Sequence, residues 1–336
     1  MDPAQQHASQ LINGFWAAQV ACAAAALSLP DHLADGPMTA AALARAAEAH
    51  APSVRRLMRA LVALGLCSQE ADGRFALTDA GQYLRADAPG SVRGRALFTG
   101  DMLWKQLGDL TLQVRTGGRT QAVISGAEGF EALKNDPPRL HAFQQAMAES
   151  SRMAARAALG AWDFGRFARV LDLGGGYGGV LGELFLAHPG QTGAVFDLPY
   201  LEAGALAYLQ GVGVADRARF IGGSFFEAVP AGFDLMVMKF IVHDWGDEEA
   251  RAILAKAREA ADTSTSLVLL EQVIPEAIEV SIDHQAAIRA DLTMMGMGGK
   301  ERTAEEYRAL LAEAGWRLHR IIPSAGAPSV IEAAPG

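Results

Sequence analysis

The sequence predicts an α/β protein, a doubly wound and mostly parallel sheet preceded by an all-α winged-helix region, and three observations predict it. The run Arg169-Val-Leu-Asp-Leu-Gly-Gly-Gly-Tyr-Gly-Gly179 takes an apolar strand into a glycine cluster, with helical spacing after it. Gly193-Ala-Val-Phe-Asp197 is a second apolar strand, and it ends on a carboxylate. From about residue 165 onward strand and helix patterns alternate, whereas residues 1 to about 160 read as mainly helical.

In chain order, Ala17 to Leu29 is alanine-rich, interrupted by Gln19, too short to span a bilayer, and reads as a buried helix. Thr39 to Ala49 reads as a helix, Pro52 and Ser53 open another through Leu64, and Gly65-Leu-Cys-Ser leads to Gly73-Arg-Phe-Ala-Leu-Thr78. Helix, turn, helix and a small hairpin make a winged helix. After Asp197 a helix is expected from about Tyr200 to Leu209, then a strand Ala218-Arg-Phe-Ile221. Phe233-Asp-Leu-Met-Val-Met-Lys239 is near-continuously apolar, as central parallel strands are. Asp247 to Ala261 has helical spacing, and Ser266 to Ile274 is the next strand, halted by Pro275. Thr303-Ala-Glu-Glu306 is a capping box opening a helix that Gly315 ends. Short strands around Arg317 to Ile322 and Ser329 to Glu332 follow. The expected division is 1–100, 101–160 and 161–336.

Composition narrows the partners. The chain has 336 residues, half of them apolar, enough for two domains and a large core. Lys and Arg total 29 against 38 Asp and Glu, a balance of −9, which disfavours nonspecific attraction to nucleic acid or to a membrane surface. Arg55, Arg56 and Arg59 sit on the would-be recognition helix of the winged helix, yet residues 1–100 carry eight basic and eight acidic side chains. A basic footprint is missing, so packing or dimerisation is the expected use of that module. Cys22 and Cys67 are too few for a disulfide framework or a thiolate metal site, and a reducing cytoplasm fits. No basic segment precedes an apolar one after Asp2, so a secretory signal is not expected.

The glycine loop points to a nucleoside-bearing cofactor. Glycines let backbone approach a ligand, the following helix N-terminus favours an anionic group, and an Asp closing the second strand can accept both hydroxyls of a ribose. Gly174, Gly176 and Gly179 satisfy the dinucleotide spacing, and Asp197 lies roughly twenty residues on, where a NAD-binding acid should lie. S-adenosylmethionine competes. Asp172, two residues before the glycines, favours that rival, because a carboxylate beside a pyrophosphate is repulsive whereas the methionine end carries an ammonium.

Chemistry is expected at Lys239-Phe-Ile-Val-His-Asp-Trp245, directly after the Met-rich strand. Ligands of open parallel sheets bind beyond the carboxyl ends of the strands, so His243 should lie near the glycine loop and can act as a general base. Asp244 can buttress its backbone or ring, Trp245 can cover a planar base, and Glu271 leaves the next strand at the same edge. Gly298-Gly-Lys-Glu-Arg-Thr303 adds Glu301, and either Glu301 or Glu271 can accept the other imidazole N–H and so fix the tautomer. Asp291 to Met297, with Phe143 and Met147 upstream, offers soft apolar surface suited to flat organic ligands or to a core. No His, Cys or carboxylate cluster has metal-ligand spacing, and no Ser or Cys sits in a nucleophile elbow.

In sequence order these motifs resemble the class I, S-adenosyl-L-methionine-dependent O-methyltransferases related to plant caffeic acid methyltransferase and bacterial antibiotic-tailoring enzymes. The resemblance runs from the winged N-terminal region through Leu171-Asp-Leu-Gly-Gly-Gly176, Phe196-Asp-Leu-Pro199, Gly222-Gly-Ser-Phe-Phe226, Lys239 to Trp245, Glu271 and Gly298 to Thr303. It implies a Rossmann-like catalytic domain over 161–336, a helical linker contributing to the acceptor pocket, and a homodimer through the N-terminal domain. It implies that Asp172, Gly174, Gly175 and Gly176 hold the methionine end of the cofactor and Asp197 with Leu198 the ribose. Phe225 and Trp245 would then flank the adenine, with Phe226, Ser224, Lys239 and Ser151 nearby. His243 would be the base, with Glu271, Glu301 and Asp244 around it. Phe143, Met147, Asp291, Met294 and Met295 would line the pocket of a small aromatic or heteroaromatic acceptor. The products would be a methylated metabolite and S-adenosyl-L-homocysteine, without a metal. Two departures stand out: plant members carry an acid at Ser224, which loosens the adenine-amine contact, and a histidine at Ser150, which bears on the substrate. Three other readings stay open: use of the cofactor for hydroxylation, decarboxylation or cyclisation, a winged-helix regulator, and a nicotinamide dehydrogenase.

Overall fold

A computed structural model describes residues 2–117, 134–324 and 327–336. The chain divides into two compact units, Met1–Lys105 and Gln106–Gly336. The stretch expected as a separate linker therefore joins the second unit from Gln106 onward, and its residues 118–133 lie outside the described residues.

The first unit follows the expected order. Helices Ala40–Ala46 and Ala51–Ala63 precede β1 (Cys67–Gln69) and β2 (Phe75–Leu77), which pair antiparallel. Thr39 caps the first of these helices by accepting from Ala42 N at 3.2 Å, and Gly65, at φ +72°, lets the second one end. Leu43, Val54, Met58, Leu61 and Phe75 form the core of the unit. Upstream the expected alanine-rich helix lies over Phe15–Ala26, preceded by another over Pro3–Asn13. Only Cys22, Ala24 and Ala25 are buried in the former and nothing in the latter, so Leu11, Ile12, Phe15 and Trp16 stand exposed. The wholly buried helix that alanine content suggests is thus buried on one side.

The second unit is built on a seven-stranded sheet, in the order Trp316–Ser324, Ala327–Pro335, Ser266–Glu271, Leu235–Lys239, Arg169–Leu173, Thr192–Asp197, Ala218–Gly222. Its parallel strands are β3 (Arg169–Leu173), β4 (Thr192–Asp197), β5 (Ala218–Gly222), β6 (Leu235–Lys239) and β7 (Ser266–Glu271). β10 (Trp316–Ser324) and β11 (Ala327–Pro335) form an antiparallel pair, and β11 also runs antiparallel to β7. Strand alternation feeds two cores. Leu171, Met236, Met238, Leu267 and Leu269 pack on one face with helices Asp247–Ala260 and Ala304–Glu313, while Val170, Leu235, Val237, Val268 and Leu270 pack on the other with Gly179–Ala187. β6 is buried at all five positions, which is why its sequence shows no alternation.

Two details differ from expectation. Ser266 to Ile274 is not one strand: β7 ends at Glu271, and Val273–Ile274 (β8) leaves the sheet to pair in parallel with Arg302–Thr303 (β9). Gln272 is the break, and the detour ties the Gly298–Thr303 loop to the sheet edge. The helix after Asp197 begins as a 3₁₀ turn at Pro199–Leu201 and continues over Glu202–Val212. The capping box at Thr303 is present, Thr303 Oγ accepting from Glu306 N at 3.2 Å and the Glu306 carboxylate from Thr303 N at 2.8 Å. Among the described residues no helix is long and apolar enough to cross a membrane.

Candidate active site

β3 neighbours β4 on one side and β6 on the other, so the chain order reverses at β3 and a crevice opens beyond the carboxyl ends of these strands. The glycine loop follows β3. Gly174 and Gly176 have φ +69° and +56°, conformations that side chains rarely adopt. A Cβ on Gly174 would collide with Ile241 Cδ1, one on Gly175 would come within 2.6 Å of the Asp172 carboxylate, and one on Gly176 within 2.7 Å of Gln144 Oε1. The glycines are thus required by their backbone conformation and their packing.

Asp172 is 1 % exposed and lies under the loop, accepting from Leu181 N at 3.4 Å. Burial pushes its carboxyl up to about 7. Its contacts are with the loop and the next helix, more recessed than an open ligand-facing acid. Asp197 closes β4 with both oxygens engaged, accepting from Gly176 N and Leu198 N at 2.7 Å each. Burial raises its pKa, against the pull of those two donors.

Phe225, Phe226 and Trp245 gather next to Gly174, from which Phe225 stands 3.6 Å from an ideal Cβ. Their rings meet edge to face: Phe226 and Trp245 at 4.8 Å and 82°, Phe225 and Trp245 at 6.2 Å and 86°. They are perpendicular walls, not two parallel plates. Ser224 Oγ is spent on its own turn, accepting from Phe226 N at 3.3 Å. Ser151 is buried, with its Cβ 2.8 Å from an ideal Cβ on Gly179. Lys239, at the end of β6, is buried and donates from Nζ to Ser150 Oγ at 3.2 Å. Burial lowers its pKa to about 8, with Glu271, Asp244 and Asp172 pulling the other way.

The short 3₁₀ turn Val242–Asp244 carries His243. Its Nδ1 donates to Glu301 Oε1 at 2.8 Å, and Glu271 Oε2 lies 3.6 Å from the same nitrogen. The two glutamates divide the work. Glu271 Oε1 accepts from Ile241 N at 3.0 Å and Val242 N at 2.8 Å, so it anchors the turn, while Glu301 grips the ring. Asp244 Oδ1 stands 3.5 Å from Nε2, beyond good hydrogen-bond length. Burial opposes charge on the imidazole, but Glu271, Glu301 and Asp244 outweigh it and lift the pKa to about 9. Burial in turn raises Glu271, whose Oε2 has no hydrogen-bond partner among the described residues.

Nδ1 and the carboxylate oxygens of Glu271 and Glu301 lie within 4.8 Å of one another, a grouping of metal-ligand type that sequence spacing did not disclose. Nδ1 is already committed to Glu301 there.

The loop after helix Ile282–Met297 clasps this turn. Arg302, fully buried, donates to Val242 O and Trp245 O at 3.0 Å each and, through Nε and Nη2, to Asp247 Oδ1 at 3.0 and 2.8 Å. Lys300 N donates to His243 O at 2.9 Å, and a Cβ on Gly299 would strike that same oxygen. Asp291 holds the loop from the other side, its Oδ1 accepting from Glu301 N at 3.1 Å. Of the residues expected around an acceptor, Met294 is buried and Phe143, Met147, Met295 and Asp291 half-buried. Sequence reading gave no individual role to Phe240, Ile241, Gln144 or Arg302; an arginine in a glycine-led loop just before a helix was the signal available for the last.

An α/β unit with a glycine loop at the strand where the chain order reverses defines a class, that of the doubly wound, Rossmann-like proteins. The chain belongs to the O-methyltransferase family. Residues 104–317 match the O-methyltransferase domain and residues 9–87 the O-methyltransferase dimerisation domain. It is 33 % identical over 327 residues to phenazine O-methyltransferase PhzM of Lysobacter antibioticus, covering 97 % of this chain and 95 % of that one. The crystal structure of LaPhzM superposes with TM-score 0.92 at 32 % identity, over 99 % of this chain and 100 % of the other. An O-methyltransferase of neocarzinostatin biosynthesis, solved with S-adenosylmethionine and 2-hydroxy-5-methyl naphthoic acid, has TM-score 0.79 and 31 % identity over 95 % of this chain and 96 % of its own.

Proposed function

We propose that the protein transfers a methyl group from S-adenosyl-L-methionine to a hydroxyl of a small aromatic or heteroaromatic metabolite in natural-product biosynthesis, with His243 as general base. The observation that carries this reading is the 2.8 Å Nδ1–Glu301 bond at the sheet edge shared with the glycine loop, which commits one ring nitrogen to a carboxylate. Nε2 is then the nitrogen that takes a proton.

The residues fit the cofactor. Gly174 to Gly176 leave no room for a Cβ, and buried Asp172 and half-buried Asp197 flank them. Two carboxylates suit the cationic methionine end and a ribose better than a pyrophosphate, which argues against a nicotinamide cofactor. Asp197 would take the ribose, and the Phe225, Phe226 and Trp245 walls the adenine. When bound, the cofactor supplies an electrophilic methyl group and leaves as S-adenosyl-L-homocysteine.

The chain's own work is to align the acceptor oxygen and remove its proton. A phenol with pKa about 10 is mostly neutral at pH 7, and a positioned base contributes roughly 10²–10⁴ in rate. Glu301 fixes the tautomer and, with Glu271 and Asp244, stabilises the imidazolium formed as Nε2 accepts the proton. The half-buried Phe143, Met147 and Met295 with buried Met294 suit a flat apolar acceptor. An intact His243–Glu301 pair favours transfer over hydroxylation, decarboxylation or cyclisation. The exposed Leu11, Ile12, Phe15 and Trp16 of the dimerisation domain suit a homodimer, and two free buried cysteines suit a reducing cytoplasm. Incubation with methyl-labelled cofactor and a panel of hydroxylated aromatics tests the reading: label on an acceptor oxygen supports it, and cofactor binding without label transfer to any acceptor overturns it.

A further inference from the structure

Phe240 is the one residue of the Lys239–Trp245 stretch that adopts a left-handed backbone, at φ +56°. Its N–H still donates to Leu270 O at 3.1 Å, continuing the β6–β7 ladder, and the chain then turns sharply off the sheet toward His243. An aromatic side chain is an uncommon choice for that conformation; glycine or asparagine holds it with less strain. Strain of this kind persists where a surrounding contact maintains it, and it gathers at functional sites.

Two such contacts are present. The Phe240 ring stacks on the His243 imidazole, with centroids 4.9 Å apart and planes 12° from parallel. Lys239 Nζ lies 4.3 Å from the centroid of the same ring and is itself tied to Ser150. The stack supplies what the Glu301 bond lacks. A single hydrogen bond at Nδ1 fixes that atom but leaves the imidazole free to rock about the Nδ1–Oε1 line, which would swing Nε2. A flat ring against the imidazole face blocks that rocking.

We infer that Phe240 is a positioning residue for methyl transfer, acting through His243 by holding the plane of its imidazole. The inference rests on His243 being the base. Phe240→Asn and Phe240→Gly keep the turn and delete the ring, whereas Phe240→Tyr keeps the ring. The expected result is a fall in kcat of about tenfold or more for Asn and Gly, since small misplacements of a catalytic group cost up to about 10². The acceptor KM and the cofactor Kd should change less than about threefold, and the unfolding midpoint should stay within about 3 °C or rise. Phe240→Tyr should recover kcat to within about threefold. In a His243→Ala background, Phe240→Asn should cause no further loss.

Wild-type kcat in Phe240→Asn, with His243→Ala inactive, overturns this inference alone. A fall in kcat and melting temperature together in Asn and Tyr alike also overturns it, by showing a packing role. Full turnover in His243→Ala overturns the base assignment, and this inference with it.

Discussion

His243 Nδ1 and Glu301 Oε1 meet at 2.8 Å although 58 residues separate them in sequence. The contact exists because β8 carries the chain off the main sheet to pair with β9, drawing the Gly298–Thr303 loop over the turn that bears His243. Detour, glycine approach and buried arginine together assemble one acid–base pair.

Separate roles for the two glutamates predict separate phenotypes. Glu301→Gln should lower kcat by about 10² while the protein stays folded. Glu271→Ala should instead strip the Ile241 and Val242 N–H groups of their acceptor and cost about 2–6 kcal/mol, two unsatisfied donors at about 1–3 each. Denaturant unfolding beside steady-state kinetics separates the two.

The pH dependence follows from charge. A base must be neutral, and the His243 pKa lies at about 9, above its ordinary 6.5, so kcat/KM should climb with pH along a limb whose midpoint exceeds 6.5. Glu301→Gln removes a negative charge that favours the imidazolium, so its limb should move to lower pH. The raised pKa also means that this residue's stabilising contribution is full below pH 6.5 and lost as pH rises through about 9. Melting temperatures across that window should fall less in Glu301→Gln than in wild type.

Gly174→Ala should be costly twice. The φ of +69° penalises any side chain by about 1–2 kcal/mol, and the new methyl would strike Ile241. Calorimetric titration should show weakened binding of S-adenosyl-L-homocysteine, whereas Gly190→Ala, where a Cβ meets nothing within 4 Å, should bind as wild type.

Arg302→Ala should strip Trp245 O of its side-chain donor, leave Val242 O only the 3.4 Å bond from Trp245 N, and leave exposed Asp247 paired with Lys300 alone, a loss of about 1–3 kcal/mol. Arg302→Lys keeps the charge but not the fork and should fall between, as thermal unfolding will read.

The sheet was legible because its signals are local. β6 announces itself by the consecutive apolar residues Leu235 to Met238 and Thr303 by its capping box. His243, Glu271 and Glu301 were legible as a group because each follows a strand end or precedes a helix at one edge. Which glutamate grips the ring was not legible, since that depends on the β8–β9 pairing, a long-range contact between strands of two residues each. The left-handed Phe240 gave no sign either, because an aromatic residue normally argues for strand. Asp291, expected beside the acceptor, also holds the backbone of Glu301, a contact between residues that spacing alone does not show.

The most direct measurement is the rate of a single turnover with methyl-labelled S-adenosyl-L-methionine and an accepted hydroxylated aromatic, comparing wild type with His243→Ala and measuring cofactor Kd alongside. With His243 as the base, the transfer rate falls by at least about 10² while Kd changes less than about twofold. Transfer by His243→Ala at the wild-type rate would contradict that assignment.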